Sequence, residues 1–380
     1  MITRRLASTV SVPPKDKSHR KIVLVGAGFL GSYIAKALVA DPRNRVLLVS
    51  RHPENLHSKL SHLGSQILPP HPADITSPDT TQLKEAFKDA SAVVSMVGLL
   101  VGSEKKMDLV QRQGTQNVSD IAKEQGVGRV VGVSAIGADE GGVTAYWRTK
   151  ALGERAILEN HPNATIIRPS IIFGPGDSFF NRFASLAKWL PFIPVFGGGL
   201  VRFQPVYAGD IARAVEICCR DDPEVIRQVG GKVIEAGGPD VYTYREIMQL
   251  VLKYSGYLNS RFILSLPFWV GKIQGFFLEK LPENLFTVTR DQVEQLRSDN
   301  IVSPSPPLNS LSFKDLLKTF PSSLPSSSPP GDPGLTSVEK VLPTYLGGGQ
   351  DTQQKGKRTH GRNFDTGMGA EDVRKMSGKK

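Results

Sequence analysis

Tyr146 and Lys150 stand four residues apart in Ala145-Tyr-Trp-Arg-Thr-Lys-Ala-Leu-Gly-Glu154. On a helix that spacing puts both side chains on one face. A phenol titrating near pH ~10 is a weak acid–base group at neutral pH, and an ammonium one turn away favours its phenolate. The same lysine can hold a sugar hydroxyl, so the pair reads either as an acid–base couple or as a ribose clamp. Ser134, which ends the apolar run from Arg129, is the third candidate for catalysis. A tyrosine and lysine at this spacing are common by chance. They gain weight only from the elements around them.

The strongest of those elements is Lys21-Ile-Val-Leu-Val-Gly-Ala-Gly-Phe-Leu-Gly-Ser-Tyr-Ile-Ala-Lys-Ala-Leu38. It reads as a buried strand, a tight glycine turn and an amphipathic helix. Gly26 permits the turn, Gly28 lets the backbone approach a pyrophosphate, and Gly31 allows the helix to pack closely on the strand. Phe29 and Leu30 lie between them at the helix N-terminus, whose unpaired N–H groups suit phosphates. The alternative is a glycine turn with no ligand. A second strand, Arg45–Ser50, runs straight into Arg51. An NAD-preferring site carries an acid near there for the ribose 2′-hydroxyl. Here no acid stands there, and a guanidinium offers a planar donor fork to a 2′-phosphate. NADP(H) is therefore the preferred cofactor, with NAD(H) and a merely solvated Arg51 as the competing readings.

The alternation continues along the chain. Residues 65–70 lead to Asp74 and Ile75, where the aspartate can meet an adenine amino group. A helix over 80–88 precedes a strand over 92–98 that ends at Val97 and Gly98, and a helix over 108–124 precedes the strand 129–134. Strands alternating with helices at this spacing predict an α/β fold, a Rossmann-type doubly wound parallel sheet. The organisation predicted is a dinucleotide-binding domain over 21–240, with 166–200 contributing to a small C-terminal cap completed by 241–300. A Pro/Ser-rich linker over 301–334 and a short docking segment over 335–346 follow.

The 380 residues carry 47 Lys and Arg against 36 Asp and Glu. Residues 1–21 hold six of the bases against Asp16 alone, and residues 347–380 hold eight against four acids. Most of the net charge of +11 thus sits at the two ends. A nucleic-acid-binding domain places its basic patch on folded surface, so no nucleic-acid partner is expected. The two cysteines, Cys218 and Cys219, are adjacent on a helical stretch. They read as small buried apolar residues in a reducing compartment, and no metal-ligand spacing accompanies them.

Residues 1–20 are rich in Arg and hydroxyl groups and poor in acid, with Ile2, Leu6 and Val10 on one helical face opposite the arginines. That is the pattern of a mitochondrial presequence; a plain basic tail is the other reading. The segment 303–334 is too dense in proline and serine to bury much surface, although Leu311-Ser-Phe-Lys-Asp-Leu-Leu317 can form one amphipathic turn. Residues 347–380 read as a disordered basic tail. No run is long and apolar enough to span a bilayer. Residues 262–281, with Phe268, Trp269, Ile273, Phe276 and Phe277, suit a hydrophobic hairpin in peripheral contact with a membrane or partner, or an ordinary core helix pair.

Beyond the glycine turn and Tyr146–Lys150, three stretches are specific: Ile167-Arg-Pro-Ser-Ile-Ile-Phe-Gly-Pro-Gly-Asp177, Phe179-Phe-Asn-Arg-Phe-Ala-Ser-Leu186 with Val195-Phe-Gly-Gly-Gly, and Gln204-Pro-Val-Tyr-Ala-Gly-Asp210. With them the chain resembles the short-chain dehydrogenase/reductase superfamily in its extended and atypical branch. It is most similar there to the group of the NADPH-binding accessory subunit of respiratory complex I, subunit nine of the alpha subcomplex, and its alphaproteobacterial relatives. The resemblance covers about residues 20–300, and Thr336–Leu346 is similar to the tail of the bacterial members. It implies a mitochondrial, matrix-side protein at the inner membrane that holds NADP(H) and has protein partners in a quinone-linked complex. A coenzyme Q biosynthesis partner, or a working reductase or epimerase of unnamed substrate, is the alternative. It also implies that Pro169–Ile172 pass the nicotinamide, that Arg168 anchors a strand end, and that Asn181 and Arg182 line a pocket or cap a helix. Asp210 would cap the helix that begins at Ile211.

The departures from the family pattern point away from turnover. The glycine turn is one residue short, which leaves the place of Ala27 open. The superfamily's helix asparagine falls on Gln111, and Ile136 and Gly137 stand where its serine is expected. Without a serine to orient a carbonyl, hydride transfer is expected to be slow.

Overall fold

The computed structural model describes residues 19–279, 285, 287–306, 309–320 and 334–347. The presequence up to residue 18 and the basic tail beyond residue 347 lie outside the described residues. Six parallel strands come first: β1 (Arg20–Val25), β2 (Asn44–Ser50), β3 (His71–Pro72), β4 (Ala90–Ser95), β5 (Arg129–Val133) and β6 (Thr165–Pro169). With the later strand Val233–Ala236 they form a seven-stranded sheet in the order Val233–Ala236, β6, β5, β4, β1, β2, β3. All its pairings are parallel, and the strand order reverses at β1, which pairs with both β2 and β4. That reversal opens a crevice beyond the strands' C-terminal ends, where ligands of such sheets bind.

The strands are near-continuous apolar runs because helices cover both faces. Ile22, Val23 and Leu24 have no exposed surface. On one face Ile34 and Leu38 of α1 (Phe29–Leu38) meet Ile211 and Val215 of the helix Ala208–Cys218. On the other face lie Leu83, Phe87, Val118 and Ile121. Cys218 and Cys219 are buried in the first of these cores, where desolvation pushes the Cys218 thiol up to about 12.

The structure corrects several boundaries. Arg20, expected at the end of the presequence, is the first residue of β1, and its buried guanidinium donates to the Cys219 carbonyl and to Asn44 Oδ1. Residues 65–70 form no full strand, only a bridge from Ile67 to Val46 ahead of the two-residue β3. Pro69 and Pro70 have no N–H to give a ladder. The helix expected over 108–124 begins earlier, as Glu104–Met107, and passes through a widened turn at Asp108–Gly114 before Thr115–Glu124. The linker is not bare: Phe313–Thr319 is a helix whose Phe313, Leu316 and Leu317 are buried in the core beside the helix Ala208–Cys218. Its amphipathic spacing outweighs the surrounding prolines and serines.

The remaining elements form a third core beside the sheet's C-terminal edge. It contains Phe180, Leu186, Ile193, Val195, Ile247 and Val251 from successive segments, closed by Val338 and Leu342 of the C-terminal helix Val338–Leu346. Of the segment 262–281, residues 280 and 281 lie outside the described residues. A strand, Phe262–Leu266, lies parallel to Phe192–Phe196 and leads into the helix Phe268–Leu278. Gly271 and Gly275 face the body, where a Cβ would come within 2.7 Å of Phe196 and 2.8 Å of the Arg290 nitrogen. The stripe of Trp269, Ile273, Phe276 and Phe277 is left on the surface. No helix among the described residues is long and apolar enough to cross a membrane.

Candidate functional site

The glycine turn sits at the reversal point. Gly26 has φ +97°, and a Cβ there would lie 3.2 Å from the Met96 carbonyl oxygen, so both conformation and space favour glycine. Gly28 precedes α1, and a Cβ there would meet nothing within 4 Å. The space over Gly28 is open to a ligand. No side chain caps α1, so its first N–H groups remain available to an anion. Gly31 is less constrained than expected, since its Cβ would make ordinary contacts at 3.5 Å with Gly26, Leu56 and Met96. Phe29 and Leu30 are half-buried in the first turn, and the Phe29 ring meets Tyr33 edge-on at 5.2 Å.

At the β2–β3 edge the structure brings Arg51 and Asp74 together, both exposed. Asp74 Oδ1 accepts from the Thr76 N–H at 2.8 Å and the Thr76 hydroxyl at 2.7 Å. These bonds, with the Arg51 guanidinium nearby, hold its carboxyl below the usual range. Ile75 is half-buried, and its carbonyl accepts from Asn117 at 2.8 Å.

The other end is built from the tips of β4 and β5 and the helix Ala145–Asn160. Lys150 is buried, and its Nζ donates to the Val97 carbonyl at 2.8 Å and the Val133 carbonyl at 3.3 Å. A Cβ on Gly98 would lie 3.0 Å from that Nζ. Burial pushes Lys150 down to about 8, partly opposed by Glu154. Tyr146 is pushed up to about 12, first by burial and then by the Asp291 carboxylate. The hydrogen bonds of Lys150 go to two backbone carbonyls, and the Asp291 carboxylate is the charge that acts on the phenol. Ser134 Oγ is buried without a hydrogen-bond partner, beside a cavity of about 20 Å³ that Lys150, Glu154 and Gln111 also line. That volume holds one water molecule.

Gln111 occupies the widened turn 108–114, a π-type turn of the kind found at functional sites. Its Oε1 accepts from the Leu99 N–H at 3.1 Å, and its Nε2 donates to Thr149 at 2.7 Å. It thereby fastens the loop after β4 to the tyrosine helix. The turn also lets the two helices touch, since a Cβ on Gly153 would stand 2.6 Å from the Gln111 carbonyl oxygen. Pro169 ends β6 in a buried position, and its carbonyl accepts from the Ile136 N–H. Ile136 is buried, and a Cβ on Gly137 would reach within 2.8 Å of the Trp147 indole nitrogen, so no hydroxyl enters from these positions.

Other expected residues have structural partners. Arg168 forms a forked ion pair with buried Glu154, at 2.9 and 2.7 Å. Asn181 donates to the Asp177 carbonyl, while Arg182 donates to the carbonyls of Leu285 and Thr287. The helix expected to begin at Ile211 begins at Ala208, and Asp210 in its first turn does not cap it. Asp210 accepts instead from the Thr336 N–H at 2.7 Å. Asp291 was not anticipated. Its Oδ1 accepts from the Ala145 N–H at 2.9 Å, over the start of the tyrosine helix. Nothing local to Asp291 in the sequence signals that role.

An uncapped helix start under an open glycine turn, with an orphaned hydroxyl and a buried ammonium across the crevice, fits a dinucleotide. Residues 26–175 match the family model described as NAD(P)H-binding. This part of the chain is thus similar to NAD(P)H-binding domains, and it has their doubly wound fold. Over most of its length the chain is similar to proteins named NADH dehydrogenase [ubiquinone] 1 alpha subcomplex subunit 9, mitochondrial. It is 29% identical over 342 residues to that of Arabidopsis thaliana, covering 85% of this chain and 81% of the relative. It is 26% identical over 315 residues to that of Mus musculus, covering 75% and 79%. Among solved structures, the UDP-glucuronic acid 4-epimerase of Bacillus cereus in complex with NAD shares the fold. It superposes with a TM-score of 0.54 at 21% identity, over 65% of this chain and 86% of the epimerase.

Proposed function

We propose that this chain is a mitochondrial NADP(H)-binding accessory protein of quinone-linked respiratory machinery, similar in role to a complex I accessory subunit, and that its cofactor is held rather than turned over. One contrast carries the reading: the phosphate-binding end is open and uncapped, while Lys150 is bonded to two backbone carbonyls and makes no hydrogen bond to Tyr146. Gly26, Gly28, Phe29, Leu30 and Gly31 cradle the pyrophosphate. Arg51 takes the 2′-phosphate, and Asp74 and Ile75 border the adenine. Val97, Gly98 and Pro169 border the nicotinamide, and Tyr146 and Lys150 hold its ribose. The names of the relatives support a place in a mitochondrial complex; the matrix side of the inner membrane is our own assignment. The exposed stripe Trp269–Phe277 is the surface we assign to peripheral contact with that membrane or with a partner.

Native mass spectrometry of the protein purified from mitochondria tests this reading. Retained NADPH near one equivalent is the expected result. An empty site, or retained NADH, overturns the tight NADP(H) assignment. A second reading, an active reductase or epimerase, draws on Ser134 Oγ lying unpartnered beside Lys150. NADPH oxidation with carbonyl substrates that Tyr146→Phe and Ser134→Ala abolish would favour it. A coenzyme Q biosynthesis partner shares the same cofactor site, and co-purification with that machinery in place of complex I would select it.

A further inference from the structure

We infer that the nucleotide site is completed by the C-terminal segment 334–347, through Tyr345 acting on Asp177 as a positioning residue. The inference rests on the nucleotide reading above and adds what closes the site. The Tyr345 hydroxyl donates to Asp177 Oδ2. The same carboxylate accepts from the Gly174 N–H at 3.2 Å and, through Oδ1, from the Phe180 N–H at 2.7 Å. Asp177 is 3% exposed, so its charge depends on these donors. Between Gly174 and Asp177 the backbone turns through two glycines at φ +149° and +94° and lies against the start of α1. Tyr33 Oη donates to the Pro175 carbonyl at 3.1 Å, and a Cβ on Gly176 would sit 3.5 Å from the Phe29 ring. Phe29 follows Gly28 directly. One chain of contacts therefore runs from the C-terminal helix through Asp177 and its loop to the turn that receives the pyrophosphate.

A second contact pins the same segment. Thr336 donates to Asp210 from its N–H at 2.7 Å and its hydroxyl at 3.3 Å, and Asp210 belongs to the helix packed on α1. Between the two anchors Val338, Val341 and Leu342, and just past them Leu346, are buried in the third core. A nine-residue helix containing Pro343 does not hold itself together in water. Its order comes from docking, and docking orders the loop over the nucleotide. By linkage the coupling is reciprocal: nucleotide stabilises the docked helix, and the docked helix tightens nucleotide.

The test uses the full-length chain and NADPH itself. Affinity is measured by titration, and hydrogen exchange of residues 338–346 is followed with and without NADPH. Tyr345→Phe keeps the ring and removes the donor, and is expected to weaken NADPH about tenfold, within the usual range of such couplings. Leu342→Asp undocks the helix and is expected to do the same or more. Wild type should gain exchange protection over 338–346 on binding NADPH, and Tyr345→Phe should lose that gain, which a purely structural tyrosine would not do. Wild-type protein that binds NADPH while Tyr345→Phe binds within twofold of it and keeps the gain overturns the inference alone. Wild-type protein that binds neither NADPH nor NADH overturns the nucleotide reading and this inference with it.

Discussion

The two ends of the crevice are made differently. At the phosphate end, backbone does the work: an open position over Gly28, N–H groups without a capping side chain, and an exposed arginine past β2. At the opposite end, around Lys150, most polar side chains already have protein partners, Ser134 Oγ excepted. Lys150 is spent on two carbonyls, Gln111 on Leu99 and Thr149, and Glu154 on Arg168. An end whose polar groups are left open can take a ligand at little rearrangement cost. An end whose groups are mutually satisfied is rigid and must give up a bond for each one that a substrate makes. Keeping the tyrosine–lysine spacing is therefore compatible with losing its chemistry.

That contrast can be attacked from either side. The largest effect is expected at Glu154: Glu154→Leu strands the Arg168 guanidinium and should cost about 3–5 kcal/mol in urea unfolding. A loss below 1 kcal/mol would mean that the nicotinamide end is not a structural network. Lys150 comes next. Its folded value of about 8 lies below the ordinary 10.5, so between those limits the unfolded chain binds more protons than the folded one. Stability should then rise with pH across that window by at most about 3 kcal/mol, relative to Lys150→Met, which lacks the group. Equal pH slopes for the two proteins would place Lys150 in water.

Gly28→Asp puts a carboxylate where the pyrophosphate belongs. It should weaken NADPH about a hundredfold, or about 2.7 kcal/mol, while leaving the nucleotide-free melting temperature within a few degrees. Arg51→Ala should cost NADPH about tenfold and NADH almost nothing; equal losses would move the 2′-phosphate elsewhere. The smallest effect is expected at the residue that looks most catalytic. Tyr146→Phe should alter NADPH affinity by less than about threefold, the worth of one exposed-type hydrogen bond, and a large loss of NADPH turnover would reverse the comparison.

The sheet and the glycine turn were legible because their signals are local: an apolar run, three glycines at fixed spacing, then a helical period. Tyr146 and Lys150 were legible for the same reason, since four residues make one helical turn. Their electrostatics were not, because the acid that acts on Tyr146 is Asp291, bonded to Ala145 from 146 residues away in the chain, and the lysine's partners are backbone carbonyls. Asp177 carried no visible role because its partner Tyr345 lies 168 positions on. The helix Phe313–Thr319 was half-seen, its apolar spacing plain but its proline and serine flanks reading as linker. Arg20 was assigned to the wrong side of a boundary because a buried arginine and a presequence arginine look alike in a sequence.

The stitching of first and last segments to the middle sets a schedule. Arg20 needs Cys219, Asp177 needs Tyr345, and Asp210 needs Thr336. A chain delivered from its N-terminus presents its glycine turn early and its closing helix nearly last. For most of that interval the turn has neither its covering loop nor the final sheet strand. Long-range closures of this kind are slow to form and leave apolar surface waiting. Until the closing helix arrives, the Gly174–Asp177 loop lacks its Tyr345 donor, and Ile247 and Val251 lack the cover of Val338 and Leu342.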